Sequence, residues 1–167
     1  MAVLDSAFPN RNHLTLPKKY SNALLDLNIV LKESLKKVQS EVHQLQLIVR
    51  CESLPQIKAD REETTKLFDD LLRMIFNHPP QTSRLFLYVD CEEDFGDVMD
   101  MTLEEGFKRY IIKFHTNVTT HGNWKLINSQ SLMNCRQILS RYNGNLAVNE
   151  ISKTGCLFSL SLQGKIE

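Results

Sequence analysis

The sequence predicts one domain of mixed α and β structure (α/β), an α+β sandwich in which helices pack on one face of a mixed sheet. A length of 167 residues suits a single domain with its own core. The hydrophobic share of 42% and the charged share of 24% are those of an ordinary globular protein. Helical and alternating apolar patterns follow the order strand, helix, strand, helix, two strands, helix, two strands. Strands that mix with helices and end in antiparallel hairpins favour a single sheet covered by helices.

Residues 1–19 are predicted to form an N-terminal tail, and residues 20–167 the domain itself. Met1–Lys19 contains two prolines and no sustained apolar period. The sequence shows neither a stretch of transmembrane length nor a signal-peptide layout. The four cysteines have no C-x-x-C spacing, and acidic and basic residues balance at 20 each. We therefore expect a cytoplasmic protein without a membrane span, a metal site or a nucleic-acid partner.

The first elements are predicted to be a strand, a helix and a second strand. Leu24–Asn28 is a short apolar stretch suited to an edge strand, and Asp26 or Asn28 can cap the helix that follows. Apolar residues then recur at helical spacing, and this helix should end near His43. Gln44–Arg50 alternates like a strand.

A second helix is predicted from Asp60 to about Asn77. Asp60 is a good N-cap, and Glu63 completes a capping-box-like pair with it. The helix should be stopped by Pro79-Pro80. Its apolar stripe predicts the side chains that face the core: Leu67, Leu71 and Ile75, with Phe68 and Leu72 beside them.

The second half of the chain is predicted to be mainly antiparallel. Ser83–Val89 and Tyr110–Thr116 are β-branched or aromatic-rich and should be antiparallel neighbours. Asn128–Arg141 is helix-like, and Asn143-Gly144 should end it, with glycine in the left-handed C-cap geometry. The chain closes with two predicted strands, Asn145–Glu150 and Cys156–Leu162.

The connection Glu92–Arg109 is long and acidic for a link between two strands. Apolar side chains interrupt its acids, and the candidates for partner binding are Phe95, Met99 and Met101. This composition is typical of a loop that docks on a basic, partly apolar protein partner. A merely mobile loop is the alternative.

The segment Leu54–Pro80 carries a family resemblance. It reads LPQIKADREETTKLFDDLLRMIFNHPP. It resembles the first ATP-site segment of the superfamily of histidine kinase and gyrase-like ATPases (GHKL), where L-P-x-V-x-A-D precedes a helix that closes with N-L-L-x-N-A. The stretches LDLNIVLKESL and CRQILSRYNGNLAVNEISKTGCLFSLSL are similar to the family's entry and final segments, so the resemblance extends from about Leu25 to Leu162. It implies the Bergerat-type fold of the catalytic domain of two-component sensor histidine kinases.

The resemblance also implies a degenerate nucleotide site. The family's two helix asparagines correspond to Asp70 and Met74, and the second normally holds Mg²⁺, for which a thioether is a poor ligand. Thr116 stands in place of the aspartate that reads adenine, and residues 127–132 lack the glycines that bring backbone N–H groups to phosphate. We expect no cofactor, metal or catalytic residue at the remnant positions, which are Asp70, Met74, Asn77, Thr116, Ser129 and Ser131.

Several chemically tempting residues have plainer interpretations. Asp69 and Asp70 are predicted to lie on a solvated helix face, because neighbouring helix positions point about 100° apart and cannot converge on one ion. His115 is predicted to be solvated in a loop. Cys135 and Cys156 lie within apolar patterns and should be small core residues.

Three functions are compatible with these patterns. The preferred one is a non-catalytic, pseudokinase-like domain that acts by protein–protein contact in bacterial signal transduction, with a signalling protein as partner and homodimer formation possible. The alternative is a divergent kinase of the histidine kinase or anti-sigma-factor type that binds ATP and Mg²⁺ through Asp70 and Thr116. A purely structural or dimerisation domain is the third.

Overall fold

A computed structural model of the protein describes residues 24–41, 46–77, 83–95, 103, 105–118, 129–152 and 155–166. The elements in chain order are β1 (Leu25–Asp26), α1 (Leu27–Glu41), β2 (Gln46–Cys51), β3 (Gln56–Ile57), α2 (Arg61–Phe76), β4 (Arg84–Glu93), β5 (Lys108–Thr116), α3 (Gln130–Ser140), β6 (Asn145–Ser152) and β7 (Gly155–Gly164). The predicted tail, Met1–Lys19, lies outside the described residues. In the part of the chain that is described, no helix is long and apolar enough to cross a membrane.

The main sheet is mixed and has five strands in the order β2-β4-β5-β7-β6. β2 runs parallel to β4, and the other neighbours are antiparallel. The predicted antiparallel pairing of the two central strands is confirmed, with Leu87 opposite Thr116 and Val89 opposite Phe114. The predicted fold class, a mixed sheet with helices packed against it, is therefore confirmed.

The core lies between the helices and one face of this sheet. Alternate residues of the strands point into it, and Ile112, Phe114 and Phe158 are almost fully buried. α2 packs against both α1 and α3, and its Phe68 ring lies 6.0 Å from that of Phe114 on β5. The predicted stripe of α2 is confirmed, since every member is buried: Leu67, Phe68, Leu71, Leu72 and Ile75.

The strands differ from the prediction in the sheet to which β1 belongs and in the length of the connection between β4 and β5. β1 is no part of the main sheet, because it pairs with β3, where Leu25 lies opposite Ile57. The connection from β4 to β5 is also shorter than Glu92–Arg109, because β4 continues to Glu93 and β5 begins at Lys108. Cross-strand pairing thus places the ends of the predicted loop in the sheet.

The end of α3 corrects the role assigned to a glycine. Asn143, not Gly144, has the left-handed backbone, with φ of 54°. Gly144 is required for a different reason: a Cβ there would collide with the backbone oxygen of Ser161 in β7. Its N–H donates to the carbonyl of Leu139 at 2.9 Å. The backbone just before β6 therefore lies in close contact with β7.

Candidate functional site

The start of α2 is held against the end of α3 by a relay of hydrogen bonds. Asp60 caps α2 by accepting a bond from the Glu63 N–H at 2.9 Å. The Glu63 carboxylate accepts at 2.7 Å from the hydroxyl of Tyr142, and that hydroxyl accepts at 3.1 Å from the Asp60 N–H. The predicted capping box is therefore closed through Tyr142, with Arg141 adding an ion pair to Glu63 at 2.5 Å. These contacts hold α2 and α3 together near the positions that the resemblance assigns to the nucleotide site.

Met74 and Ser129 meet where α2 approaches the N-terminus of α3. Met74 is only 5% exposed. Ser129 caps α3 by accepting a bond from the Leu132 N–H at 3.2 Å, and its hydroxyl donates to the Met74 sulfur at 3.6 Å. The Met74 side chain thus serves as packing and as a weak hydrogen-bond acceptor. Sulfur at this point offers nothing to a hard cation, which prefers oxygen.

Asp70 lies on the same helix, near the guanidinium group of Arg73. Its side chain is mostly buried, and its Oδ1 lies 4.0 Å from a guanidinium nitrogen of Arg73. Arg73 is also held by two hydrogen bonds of 3.0 Å to the Glu41 carboxylate on α1, which raise the pKa of the guanidinium. Among the described residues, no group of three or more His, Cys, Asp or Glu side chains is placed to hold a metal ion.

Thr116 is buried at the end of β5. Its hydroxyl accepts a hydrogen bond at 3.2 Å from the N–H of Val118, two residues further along. The backbone around it is crowded, because a Cβ on the facing Gly155 would approach the Thr116 carbonyl oxygen to 2.6 Å. Thr116, which the resemblance aligns with the family's adenine-reading aspartate, thus bonds to its own backbone.

The remaining predicted positions do not converge with these. Asn77 is exposed at the C-cap of α2, where its N–H donates to Arg73 and Ile75 carbonyls. Ser131 is half-buried in the first turn of α3. Phe95 is 82% exposed just after β4, whereas Met99 and Met101 lie outside the described residues.

Asp69 is where the sequence prediction was wrong. It is 4% exposed rather than solvated, and its Oδ2 pairs with the Lys37 Nζ of α1 at 2.5 Å. A signal was present in the sequence. Apolar residues before and after it, from Leu67 to Leu72, cover so much of the circumference of α2 that Asp69 must face a neighbouring helix.

His115 also differs from its prediction. It belongs to β5, and its Nε2 lies 2.9 Å from the Asp90 carboxylate on β4. The ring is 5.5 Å from that of Tyr88, whose hydroxyl donates to Glu52 at 2.5 Å. Since His115, Asp90 and Tyr88 do not face the helices, this polar network belongs to the opposite face of the sheet.

Comparison with solved structures identifies the fold. The mycobacterial sensor histidine kinase MprB matches with a TM-score of 0.60 and 14% identity, over 87% of this chain and 99% of that one. The Acinetobacter baumannii histidine kinase AdeS matches with a TM-score of 0.57 and 12% identity, over 86% and 68%. The catalytic domain of histidine kinase ThkA gives a TM-score of 0.61 and 11% identity, over 87% and 98%. No family model and no curated protein matches the sequence.

The chain therefore has the fold of histidine kinase catalytic domains. This confirms the fold that the resemblance implied. At 11 to 14% identity the likeness defines the fold alone.

Proposed function

We propose that this chain is a non-catalytic, histidine-kinase-like domain that acts by protein–protein contact in bacterial signal transduction. The observation that carries the proposal is the contact between Met74 and Ser129. The resemblance assigns the position of Met74 to the family's Mg²⁺ ligand. Here the serine hydroxyl at the N-terminus of α3 donates to the thioether at 3.6 Å. A site built in this way favours packing over metal-assisted phosphoryl transfer.

The engaged side chain of Thr116 supports the same proposal. Its hydroxyl accepts a bond from the Val118 N–H, and a neutral hydroxyl is a weaker acceptor for the exocyclic amine of adenine than a carboxylate is. A divergent ATP-dependent kinase is the rival function, and it requires Asp70 to bind Mg²⁺ in the presence of Arg73. A cation beside a carboxylate weakens its attraction for a second cation.

The surface that we propose for partner binding begins at Phe95. This residue is 82% exposed, which is the largest exposed fraction of any large apolar residue in the described part of the chain. The base of the connection is held in place, because the Asp94 N–H donates to the Arg109 carbonyl at 2.8 Å and Lys58 lies 4.9 Å from the Phe107 ring. An aromatic side chain presented on a fixed base suits recognition.

The test is co-purification from the native host with a triple variant, Phe95→Ala, Met99→Ala and Met101→Ala. We expect it to remain folded and to lose a signalling protein that the wild type retains, with retention weakened by salt because the loop is acidic. The matched control is another triple alanine variant at exposed apolar positions on other parts of the surface, namely Ile29, Met133 and Ile166. Recovery of the same proteins with both variants would show that this loop is not the docking surface.

A nucleotide titration separates the proposal from its rival. ATP analogues are added with and without Mg²⁺, and thermal unfolding is followed. A ligand at hundredfold excess over its dissociation constant stabilises a protein by about 2.7 kcal/mol. We expect no Mg²⁺-dependent stabilisation, and a clear one would favour the kinase.

A further inference from the structure

β2 forms one edge of the main sheet. In the described part of the chain it pairs with β4 on one side, and its other side is open. The Gln46 N–H donates to the Ser83 carbonyl at 3.3 Å, at the start of this pairing. Because successive residues of a strand direct their backbone groups to opposite sides, the N–H and C=O groups of Leu47 and Val49 point away from β4. These groups are therefore placed to pair with a further strand.

The open edge is apolar and regular. Ile48 is 40% exposed and Val49 is 38% exposed. Ile48 lies beside Phe86, which is 46% exposed, on the face of the sheet opposite the helices. β2 reads QLIVRC, with one charged residue, and its register with β4 is continuous over all six residues. Edge strands are usually protected from pairing by charges, prolines or bulges, and β2 has little of this protection.

The other edge of the sheet, β6, is protected in the usual way. The register of β6 with β7 shifts between Glu150 and Ser152, and an irregular edge is a poor template for a further strand. Its sequence also includes the polar residues Asn145 and Asn149. The contrast singles out β2 as the edge that a further strand would extend.

We propose that β2 pairs in antiparallel orientation with β2 of a second copy of this chain, about a two-fold axis at Ile48, so that the two sheets become continuous. The strand is self-complementary in this register. Ile48 lies opposite its own counterpart, and Leu47 lies opposite Val49 of the second copy. Arg50 then meets the neutral Gln46, so no like charges face each other across the two strands. The outward backbone groups of Leu47 bond to those of Val49 across the axis, which completes the open ladder.

Symmetry favours a second copy over an unrelated peptide as the occupant of this edge. Two identical edges satisfy each other, because a two-fold interface uses the same surface on both subunits. Phe86 of each copy lies next to the Ile48 pair and enlarges the apolar contact. The pairing uses none of Met74, Ser129 or Phe95, so it does not rest on the function proposed above.

Sedimentation equilibrium of the full chain between about 1 and 200 μM tests the pairing. We expect the wild type to pass from monomer to dimer over this range. Ile48→Lys should raise the dissociation constant of the dimer at least about tenfold, because two like charges then meet at the axis. The Ile48 side chain is exposed, so this variant should keep its fold, which circular dichroism checks. The matched control is Met133→Lys, at an exposed position of α3, which should dimerise like the wild type.

Val49→Pro tests the contribution of the backbone. It removes an N–H that points away from β4, so the pairing of β2 with β4 is kept while the bond to the second copy is lost. We expect this variant to be monomeric at every concentration in the series. If it does not fold, Ile48→Lys still decides the question.

Disulfide cross-linking tests the register. The variants are made in a Cys51→Ser background, because Cys51 is exposed. Opposite residues of a non-hydrogen-bonded antiparallel pair lie about 4.5 Å apart at Cα, within the range for a disulfide. Ile48→Cys should therefore cross-link two copies under mild oxidation, whereas Met133→Cys should not. The proposal is overturned by a monomer throughout the series, by a dimer that Ile48→Lys leaves unchanged, or by cross-linking of Ile48→Cys no faster than that of Met133→Cys.

Discussion

Replacing Met74 by asparagine would introduce, at a buried position, the residue type that the resemblance assigns to the family's metal ligand. We predict that Met74→Asn destabilises the domain and does not create Mg²⁺-dependent ATP binding. Met74 is 5% exposed, and among the described residues its hydrogen-bonding neighbour is the Ser129 hydroxyl. An amide in its place has two donors and a carbonyl to satisfy, and most of these groups would remain unpaired.

The expected cost follows from two contributions of similar size. A buried polar group without a partner costs about 1–3 kcal/mol, and the shorter side chain also gives up part of the apolar contact that methionine makes. Together these should lower the free energy of unfolding by about 2–4 kcal/mol. Urea denaturation followed by circular dichroism measures the change.

The matched control is Met133→Asn on α3. Met133 is 57% exposed, so the same chemical change should alter the free energy of unfolding by less than about 0.5 kcal/mol. Both variants are then titrated with ATP in the presence and absence of Mg²⁺. Mg²⁺-dependent stabilisation of Met74→Asn alone would refute the proposal that three parts of the nucleotide site are altered together.

Three further predictions concern stability. Leu71→Ala, at a fully buried position of α2, should lower the free energy of unfolding by about 2–5 kcal/mol; a loss below about 1 kcal/mol in urea denaturation would mean that α2 is not packed as described. Tyr142→Phe should lower the free energy of unfolding by about 1–3 kcal/mol, because it breaks the hydrogen-bond relay between α2 and α3. Tyr88→Phe removes an exposed hydrogen bond and should lower the free energy of unfolding clearly less in the same assay. Burial raises the pKa of the Cys135 thiol from 9.0 to about 12, so the unfolded chain loses this proton first and stability should fall as the pH rises from 9.0 toward 12. Denaturation at several pH values should show that the free energy of unfolding falls less steeply with pH in Cys135→Ala than in the wild type. Part of the fall that remains in this variant is due to Cys91, because burial raises the pKa of its thiol to about 11.

The sequence predicted those elements whose pattern is local. α2 has an apolar stripe and a capping aspartate within its own residues, and β4 and β5 alternate clearly, so their existence and pairing followed from periodicity. β3 is only two residues long and exists because β1 lies beside it, so no local pattern could reveal it. The ends of β4 and β5 extend into an acidic segment because Glu93 faces Tyr110 across the strands, a contact distant in sequence.

The candidate site shows the same division between local and tertiary information. The resemblance indicated that Met74 replaces a metal ligand, but the contact with Ser129 joins residues that are distant along the chain. Asp69 was assigned to solvent because its ion-pair partner, Lys37, lies on another helix. The exposure of a charged residue beside an apolar stripe thus depends on the packing of its neighbours.

The packing of Met74 bears on the proposal that this fold acts here without a metal site. An oxygen ligand for Mg²⁺ must remain accessible and leave room for phosphate, so it contributes little to the packing between α2 and α3. Here the buried Met74 side chain packs between α2 and α3, and the Ser129 hydroxyl donates a hydrogen bond to its sulfur. The same position cannot both bury a side chain and present a ligand. We therefore expect Met74→Asn alone to lose stability without gaining ATP binding, because Thr116 and the α3 N-terminus also form hydrogen bonds within the protein.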